Sequence, residues 1–180
     1  MIHLIRHAPK AWDNGRGPPA GWSSSAGASH DPPLTPEGQR KAAALGERLA
    51  AQEDEPAMVL CSPFLRCRET AELMAGRLSS EQQPMVCPLL REYLGNWAGR
   101  ESEIDLTLDT VRSLGSADIV VESWAEFANR TDNAAAFLAF TLTNFAGGKS
   151  IWAVTHATVM RRVYRRLQQM GYPVAMHFQD

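Results

Sequence analysis

Cysteine is scarce in this sequence, and the three cysteines form no recognisable pattern. Cys61, Cys67 and Cys87 include no CxxC pair, and their odd number is unsuited to a disulfide framework. We interpret them as reduced thiols close to strands. The N-terminal residues lack the charged-then-apolar pattern of a secretory leader, and no apolar run reaches membrane-spanning length. The sequence therefore predicts a cytoplasmic protein with no membrane partner.

An excess of charge of one sign is also missing. The formal net charge is -2, whereas nucleic-acid-binding domains are usually clearly basic, so no nucleic-acid partner is expected. The basic run "RRVYRR" is predicted to be a solvated face of a helix. His3, His30 and His177 show no metal-ligand spacing, so we expect no metal and no cofactor. No feature of the sequence indicates an oligomeric state.

The composition and the order of apolar runs predict an α/β fold. A chain of 180 residues with 44% hydrophobic and 21% charged residues fits one domain, 1–180, and it contains no repeat. Strands are predicted at Ile2–Arg6 and within "AMVLCSP", "PMVCPLL", "KSIWAVT" and "VAMHF". Helices are predicted between them, which implies a mostly parallel sheet covered on both faces.

Local signals mark where these helices begin. Thr35 with Pro36, and Ser62 with Pro63, each read as a cap followed by a proline in the first turn. Ser123 and Glu126 form a capping-box pattern. The predicted helices follow Thr35 and Ser62 and span Glu103–Leu114, Trp124–Phe145 and "ATVMRRVYRRLQQMG". The Gly-, Pro- and Ser-rich segment 9–33 is predicted to be a long loop, in which Trp12 and Trp22 either line a substrate pocket or cover the core.

Charged and imidazole side chains follow several of the predicted strands. Because the carboxyl ends of parallel strands meet at one edge of a sheet, these side chains are expected to lie at a common rim. They are Arg6 and His7 after the first strand, Arg66 in the helix after the second, Glu92 after the third, and Thr155 and His156 after the fourth.

This set of side chains is suited to the chemistry of a phosphate monoester. Arginine presents a planar, permanently charged fork that matches phosphate oxygens. A neutral imidazole is a nucleophile towards phosphorus, and a second, protonated histidine stabilises charge on the oxygens. A carboxylic acid protonates the leaving alkoxide. The cationic side chains take the place of magnesium.

Five stretches, in order and over nearly the whole chain, resemble the histidine phosphatase superfamily of phosphoglycerate mutase-like proteins. "LIRHA" is similar to the Arg-His-Gly signature of that family. The others are "DPPLTPEGQRKA", "CSPFLRCRETAELM", "LREYLGNWAG" and "VTHATVMRRV". The resemblance implies a three-layer α/β/α sandwich. It also implies His7 as nucleophile, Glu92 as proton donor, and a phosphate site formed by Arg6, Arg66 and His156.

The sequence departs from the family pattern at four positions near these residues. Ala8 and Ala157 stand where glycine commonly follows each histidine, and their methyl groups are expected close to the phosphate. Lys10 and Asp13 replace a hydroxyl residue and an asparagine. Asp13 places a negative charge near the substrate unless Lys10 or Arg16 pairs with it. Transfer of substrate preference from the family is therefore not justified.

The resemblance implies a metal-independent phosphatase that hydrolyses small phosphate monoesters, and three alternatives stay open. A mutase that returns the phosphoryl group is one, although dedicated mutases are longer. A protein phosphohistidine phosphatase is the second, since its leaving group needs less protonation from Glu92. A binding module for phosphorylated ligands that has lost turnover is the third. For Glu92 we prefer the acid role to that of a solvent-exposed loop carboxylate. For Arg66 the position one helical turn after Ser62 favours the site over a solvated helix residue.

Overall fold

The computed structural model describes residues 1–11, 31–52, 55–93 and 122–179. Its strands are β1 (Ile2–Arg6), β2 (Met58–Cys61), β3 (Met85–Val86), β4 (Ile151–Thr155) and β5 (Val174–His177). Its α-helices are α1 (Pro36–Gln52), α2 (Leu65–Ala75), α3 (Trp124–Phe145) and α4 (Ala157–Gln169), and a 3₁₀ turn spans Pro88–Leu90. The predicted helix Glu103–Leu114 and residues Trp12, Asp13, Arg16, Trp22 and His30 lie outside the described residues.

The described strands form one parallel sheet in the order β3-β2-β4-β1-β5. The two central strands pair in register from Ile2 opposite Ile151 to Arg6 opposite Thr155. Every pairing between these five strands is parallel, so the sheet prediction is confirmed. All five strands therefore end at the same edge of the sheet.

Side chains alternate between the two faces of a strand, and of the described helices one pair packs on each face. Ile2 and Leu4 of β1 belong to a core cluster with α3 and α4, whereas Ile5 belongs to a second cluster with α1 and α2. In β4, Trp152 is fully buried on the α1–α2 side. The three-layer α/β/α sandwich is thus the observed architecture.

Local capping signals located two helix starts correctly and one wrongly. The Thr35 hydroxyl accepts from the Gly38 amide at 2.9 Å, and Ser123 with Glu126 forms the predicted capping box. The prediction for Ser62 and Pro63 is wrong, because α2 begins at Leu65 and its N-cap residue is Phe64, which provides no side-chain hydrogen bond. The Ser62 hydroxyl instead forms a hydrogen bond with Nε2 of His156.

The basic run on α4 is only partly a solvated face. Arg161, Arg165 and Arg166 are exposed as predicted. The half-buried Arg162 lies over the Trp124 ring at 5.4 Å and donates to the Thr131 hydroxyl at 3.1 Å. Of the helices in the described part of the chain, none combines the length and the apolar character needed to cross a bilayer.

Helices α1 and α2 approach each other closely at Gly46. A Cβ atom at this position would lie 2.7 Å from the Met74 Cα and 2.8 Å from its carbonyl oxygen. Both atoms belong to the backbone of α2 and cannot move aside as a side chain would. The absence of a side chain at residue 46 therefore sets the distance between the two helices.

Substitution Gly46→Ala is expected to lower the free energy of unfolding by about 1–3 kcal/mol, because the added methyl group forces the helices apart. Helix propensity alone predicts the opposite sign, a gain of about 0.5–1 kcal/mol. Urea unfolding followed by circular dichroism measures the change. Gly76→Ala is the control, since a Cβ there meets only the Glu72 and Leu73 oxygens at 3.3 and 3.9 Å. A stabilised Gly46→Ala protein would contradict the close approach.

Candidate active site

The predicted site residues meet at the carboxyl edge of the sheet. His7 and His156 directly follow the neighbouring strands β1 and β4, and the His7 amide continues their pairing by donating to the Thr155 carbonyl at 3.0 Å. The centroids of the two imidazole rings are 5.4 Å apart. The side chains of Arg66 and Glu92 contact His156, while the half-buried Arg6 precedes His7 at the end of β1.

The geometry of His7 leaves one ring nitrogen available. Nδ1 lies 2.8 Å from the Ala8 carbonyl oxygen. A carbonyl only accepts, so Nδ1 carries the proton and Nε2 keeps its lone pair. The ring is buried, and this burial lowers the pKa of His7 to about 3, with a further contribution from the positive charges of Arg66, Lys10 and Arg6. His7 is therefore neutral at physiological pH.

His156 is buried at the centre of a hydrogen-bonded group. Its Nδ1 lies 3.3 Å from Nη2 of Arg66, which can only donate, so Nδ1 accepts and Nε2 carries the proton. That proton is donated to the Ser62 hydroxyl oxygen at 2.8 Å. Burial holds the pKa of His156 well below its ordinary range, and the Arg66 guanidinium lowers it further. Ser62, interpreted from the sequence as a helix cap, thus orients the second histidine.

Arg66 is completely buried, and two carboxylates compensate its charge. Its Nη1 donates to Asp31 at 3.2 Å, and its Nη2 contacts Glu92 as well as His156. The guanidinium also lies over the Phe64 ring at 4.7 Å. Its Nε is buried without an acceptor among the described residues. The solvated interpretation of Arg66 is excluded, because the side chain is part of the interior.

Asp31 is a member of this site that the sequence analysis did not single out. Both carboxylate oxygens accept from the Leu65 amide, at 2.8 and 2.9 Å, so Asp31 occupies the start of α2 as well as pairing with Arg66. Burial raises the pKa of Asp31 to about 6, against the opposing effects of Arg66 and the Leu65 amide. Its only sequence signal is its place in the quoted segment "DPPLTPEGQRKA", since nothing in the spacing connects residue 31 with residue 66.

Glu92 lies at the open side of the group. Its side chain is 27% exposed, and its Oε2 is 3.8 Å from Nδ1 of His156 and in contact with Nη2 of Arg66. The carboxylate is therefore the solvent-accessible end of a chain of contacts that begins at the buried Asp31. This placement differs from that of an ordinary exposed loop carboxylate.

Three of the four residues that depart from the family pattern, Ala8, Lys10 and Ala157, lie in the described part of the chain. The Ala8 side chain is fully buried and packs with Leu34 and Ala42, so its methyl group faces the core. The Ala8 amide donates to the Thr70 hydroxyl at 3.1 Å, which ties the end of β1 to α2. Lys10 pairs with Leu34 in a short antiparallel bridge between the two described ends of the long loop. Ala157 is the half-buried first residue of α4.

The environment of the three cysteines favours the neutral thiol over the thiolate. Cys61, Cys67 and Cys87 are all buried and unpaired with one another. Burial raises the pKa of Cys61 to about 12 and that of Cys67 well above its ordinary value. The Cys67 sulfur lies 3.5 Å from Nε2 of His156, where it packs against the ring as a neutral group.

The family model of the histidine phosphatase superfamily, branch 1, matches residues 2–179. No curated protein sequence matches the chain. Several solved structures share its fold at low sequence identity. The ecdysone phosphate phosphatase EPPase from Bombix mori, in complex with tungstate, is 20% identical with a TM-score of 0.67, and the match covers 94% of this chain and 77% of that one.

Two further solved structures show the same fold. The mycobacterial glucosyl-3-phosphoglycerate phosphatase Rv2419c is 20% identical with a TM-score of 0.59, over 92% of this chain and 78% of that chain. The protein histidine phosphatase SixA, complexed with tungstate, is 18% identical with a TM-score of 0.55, over 91% of this chain and 73% of that chain. These likenesses confirm the predicted phosphoglycerate mutase-like architecture.

Substitution Ser62→Ala is expected to lower the free energy of unfolding by about 1–3 kcal/mol, because it leaves the buried Nε2–H of His156 without an acceptor. Ser150→Ala is the matched control. Ser150 is also buried, but its hydroxyl has no hydrogen-bond partner in the described part of the chain. Its removal is expected to be neutral or slightly stabilising. Equal losses in both variants, measured by urea unfolding, would contradict the assigned bond.

Stability is expected to fall as the pH drops below 6.5, in part because of His7. The pKa of His7 is 6.5 in the unfolded chain, whereas burial lowers it to about 3 in the folded protein. The stabilisation is complete above pH 6.5 and is lost towards pH 3, at about 1.4 kcal/mol per pH unit. In buffers free of phosphate, the wild type should lose about 2 kcal/mol more than His7→Gln between pH 7 and 5. Parallel curves for the two proteins would refute the buried neutral state of His7.

Proposed function

Because the chain belongs to the histidine phosphatase superfamily, we propose that it is a phosphomonoesterase in which His7 accepts the phosphoryl group. The observation that carries this proposal is the His7 imidazole, which is buried and neutral, with its Nε2 lone pair uncommitted among the described residues beside His156 and Arg66. A nucleophile at phosphorus needs this lone pair, and the nearby cations favour an anionic substrate.

In the first step, Nε2 of His7 forms a bond to phosphorus while the bond from phosphorus to the ester oxygen breaks. No proton has to leave His7 before the attack, since the proton stays on Nδ1, which donates it in a hydrogen bond to the Ala8 carbonyl oxygen. That hydrogen bond also fixes the direction of the ring and stabilises the positive charge that the ring acquires. The product is a phosphohistidine and an alkoxide that requires a proton.

The phosphoryl oxygens are held by positive charge from several elements. Arg66 from α2, Arg6 from β1 and Lys10 after it all act on His7 electrostatically. The Nε of Arg66 is a buried donor without an acceptor in the described residues, a situation that a phosphate oxygen would relieve. When a phosphate oxygen takes the place of His156 as acceptor for Arg66, His156 adds a further donor by carrying its proton on Nδ1, with the Ser62 hydroxyl then donating to Nε2. These groups supply the charge stabilisation, so we propose that no metal is needed.

Glu92 is the proposed proton donor. It contacts Nη2 of Arg66, a nitrogen that an incoming phosphate oxygen would also engage. The phosphate therefore competes with the carboxylate for the guanidinium, and the proposed acid role requires the displaced carboxyl group to carry a proton taken from solvent. Glu92 gives this proton to the leaving alkoxide. In the second step the ionised Glu92 removes a proton from water, the water oxygen bonds to phosphorus, and His7 is released.

The proposed substrates are small phosphate monoesters. The solved relatives are named for ecdysone phosphate, for glucosyl-3-phosphoglycerate and for protein histidine. The alcohols in the first two differ completely, so the phosphoryl group is the feature that carries over to this chain. Residues 12–30, in the segment predicted to be a loop and proposed to contact the rest of the substrate, lie outside the described residues.

The wild-type protein is expected to hydrolyse p-nitrophenyl phosphate in EDTA and to form an acid-labile, alkali-stable phosphoprotein under rapid quench. His7→Ala should lose at least about 10³-fold in kcat/KM and should form no phosphoprotein, because the acceptor nitrogen is gone. His177→Gln, which removes an imidazole on the edge strand β5, should keep its activity. A wild type that binds phosphate but hydrolyses no ester of a broad panel would indicate a binding module instead.

A further inference from the structure

The backbone around Glu92 is held by an unusual concentration of side-chain donors. Four consecutive carbonyl oxygens, those of residues 89 to 92, each accept a hydrogen bond from a side chain. The Thr155 hydroxyl, at the end of β4, donates to the Leu90 oxygen at 2.7 Å. Arg130 of α3 donates to the other three. Apart from the backbone bonds of the 3₁₀ turn, which the Leu90 and Arg91 amides donate, these side-chain bonds hold the segment after β3 in its path.

All five N–H groups of Arg130 donate hydrogen bonds, to carbonyls of residues 89–92 and to the Glu122 carboxylate. Nη1 donates to the Leu89 and Arg91 oxygens at 2.8 and 2.9 Å, and Nη2 donates to the Glu92 oxygen at 3.4 Å. Nε and Nη2 also form a forked pair with the Glu122 carboxylate, the Nε bond being 2.8 Å. No donor is left for a further partner.

This cluster is buried on the side of the sheet opposite to α2. Arg130 is 6% and Glu122 is 5% exposed. Arg130 lies over the Phe127 ring at 5.2 Å, and Tyr93, the residue after Glu92, packs on the same ring with centroids 4.7 Å apart. Arg91 donates to Glu122 at 3.3 Å. The residues on both sides of Glu92 are therefore fastened to the start of α3, whereas the Glu92 side chain is directed towards Arg66 and His156.

We propose that Arg130 is a positioning residue for the proton donor of the reaction, acting through the backbone of residues 89–92 to hold the Glu92 carboxyl where the leaving oxygen departs. The proposal rests on the proposed function and goes beyond it, since the hydrogen bonds of Arg130 go to Glu122 and to carbonyls of residues 89–92 and none goes to His7 or to the proposed phosphate ligands. Proton transfer requires a donor within hydrogen-bond reach of the leaving oxygen, and a displacement of about 1 Å is costly. A guanidinium that fixes three carbonyls of one short segment prevents such a displacement.

If Arg130 positions the acid, its loss should affect substrates unequally, because leaving groups differ in their need for a proton. A purely structural role would not produce this difference. p-Nitrophenolate leaves as a stable anion, whereas an alkoxide leaves only with a proton. Loss of a positioned acid should therefore slow the hydrolysis of an alkyl phosphate far more than that of p-nitrophenyl phosphate. A general loss of packing would slow both substrates by the same factor.

The test compares kcat/KM for p-nitrophenyl phosphate and for a simple alkyl phosphate in the wild type and in Arg130→Lys. Lysine keeps the charge opposite Glu122 but lacks the fork that reaches three carbonyls. The ratio of the two kcat/KM values should shift against the alkyl phosphate by about 10-fold or more, as part of the 10²–10⁴-fold that a general acid contributes. Glu92→Gln should produce a larger shift of the same kind.

A second variant and a control keep the test decisive. The pair Glu122→Gln with Arg130→Met removes both buried charges together, which avoids leaving an ionised group without its partner, and should show the same selective loss. Arg162→Lys is the control, since Arg162 also lies over the Phe127 ring, at 5.7 Å, but makes none of the bonds to residues 89–92. It should leave the ratio unchanged.

Combining Arg130→Lys with Glu92→Gln provides the sharpest outcome. If Arg130 acts through Glu92, the substitution adds no further selectivity once the acid is gone. An equal loss on both substrates, an unchanged ratio, or full additivity with Glu92→Gln would each overturn the positioning role. A wild type without turnover on either substrate would instead overturn the proposed function, so the two failures are distinguishable.

Discussion

The site is organised by the burial of one full positive charge. A guanidinium without contact to water requires negative charge and acceptors around it, and Arg66 finds them in Asp31, Glu92 and Nδ1 of His156. Removing one partner from such a buried pair typically costs about 3–5 kcal/mol, so each partner is fixed by the presence of the others. The contact between Arg66 and His156 also decides the tautomer of the imidazole. Because Nδ1 accepts from the guanidinium, the proton lies on Nε2, which donates to the Ser62 hydroxyl. One arginine at the start of α2 therefore orders side chains that belong to three other segments of the chain.

The two histidines owe their neutral state to the same burial. Their rings sit at the ends of the two central strands, where the helical layers exclude water, and the positive charges nearby oppose protonation further. This arrangement lowers the stability of the folded protein in acid, because the unfolded chain binds protons that the folded chain excludes. In return it leaves His7 with a lone pair over the whole physiological range of pH. A surface histidine would titrate within that range and would be partly protonated when substrate arrived.

Features that depend on neighbouring residues were predictable from the sequence, and features that depend on distant ones were not. The bounds of β1 and α3 follow from an apolar run and from a capping box, and the parallel sheet follows from alternation of strands and helices. The rim position of His7 and His156 then follows from topology. Asp31 and Arg130, by contrast, act on partners 35 and 41 residues away. No local pattern distinguishes them from surface charges. Ser62 was misinterpreted because a serine before a proline has the appearance of a helix cap whatever its hydroxyl contacts in the fold.

The position of Glu92 connects the two helical layers of the sandwich. Its carboxylate is held by an arginine from α2, which packs on one face of the sheet, and its backbone by an arginine from α3, which packs on the other. The two contacts differ in kind. The bond to Arg66 involves the ionisable group itself and must change when a phosphate oxygen reaches the guanidinium. The bonds from Arg130 to residues 89–92 involve only carbonyl oxygens and are unaffected by protonation of the Glu92 carboxyl group. In the proposed role of proton donor, Glu92 can change its charge and its side-chain partner while its main chain stays in place, because these two requirements are met by different residues on opposite sides of the sheet.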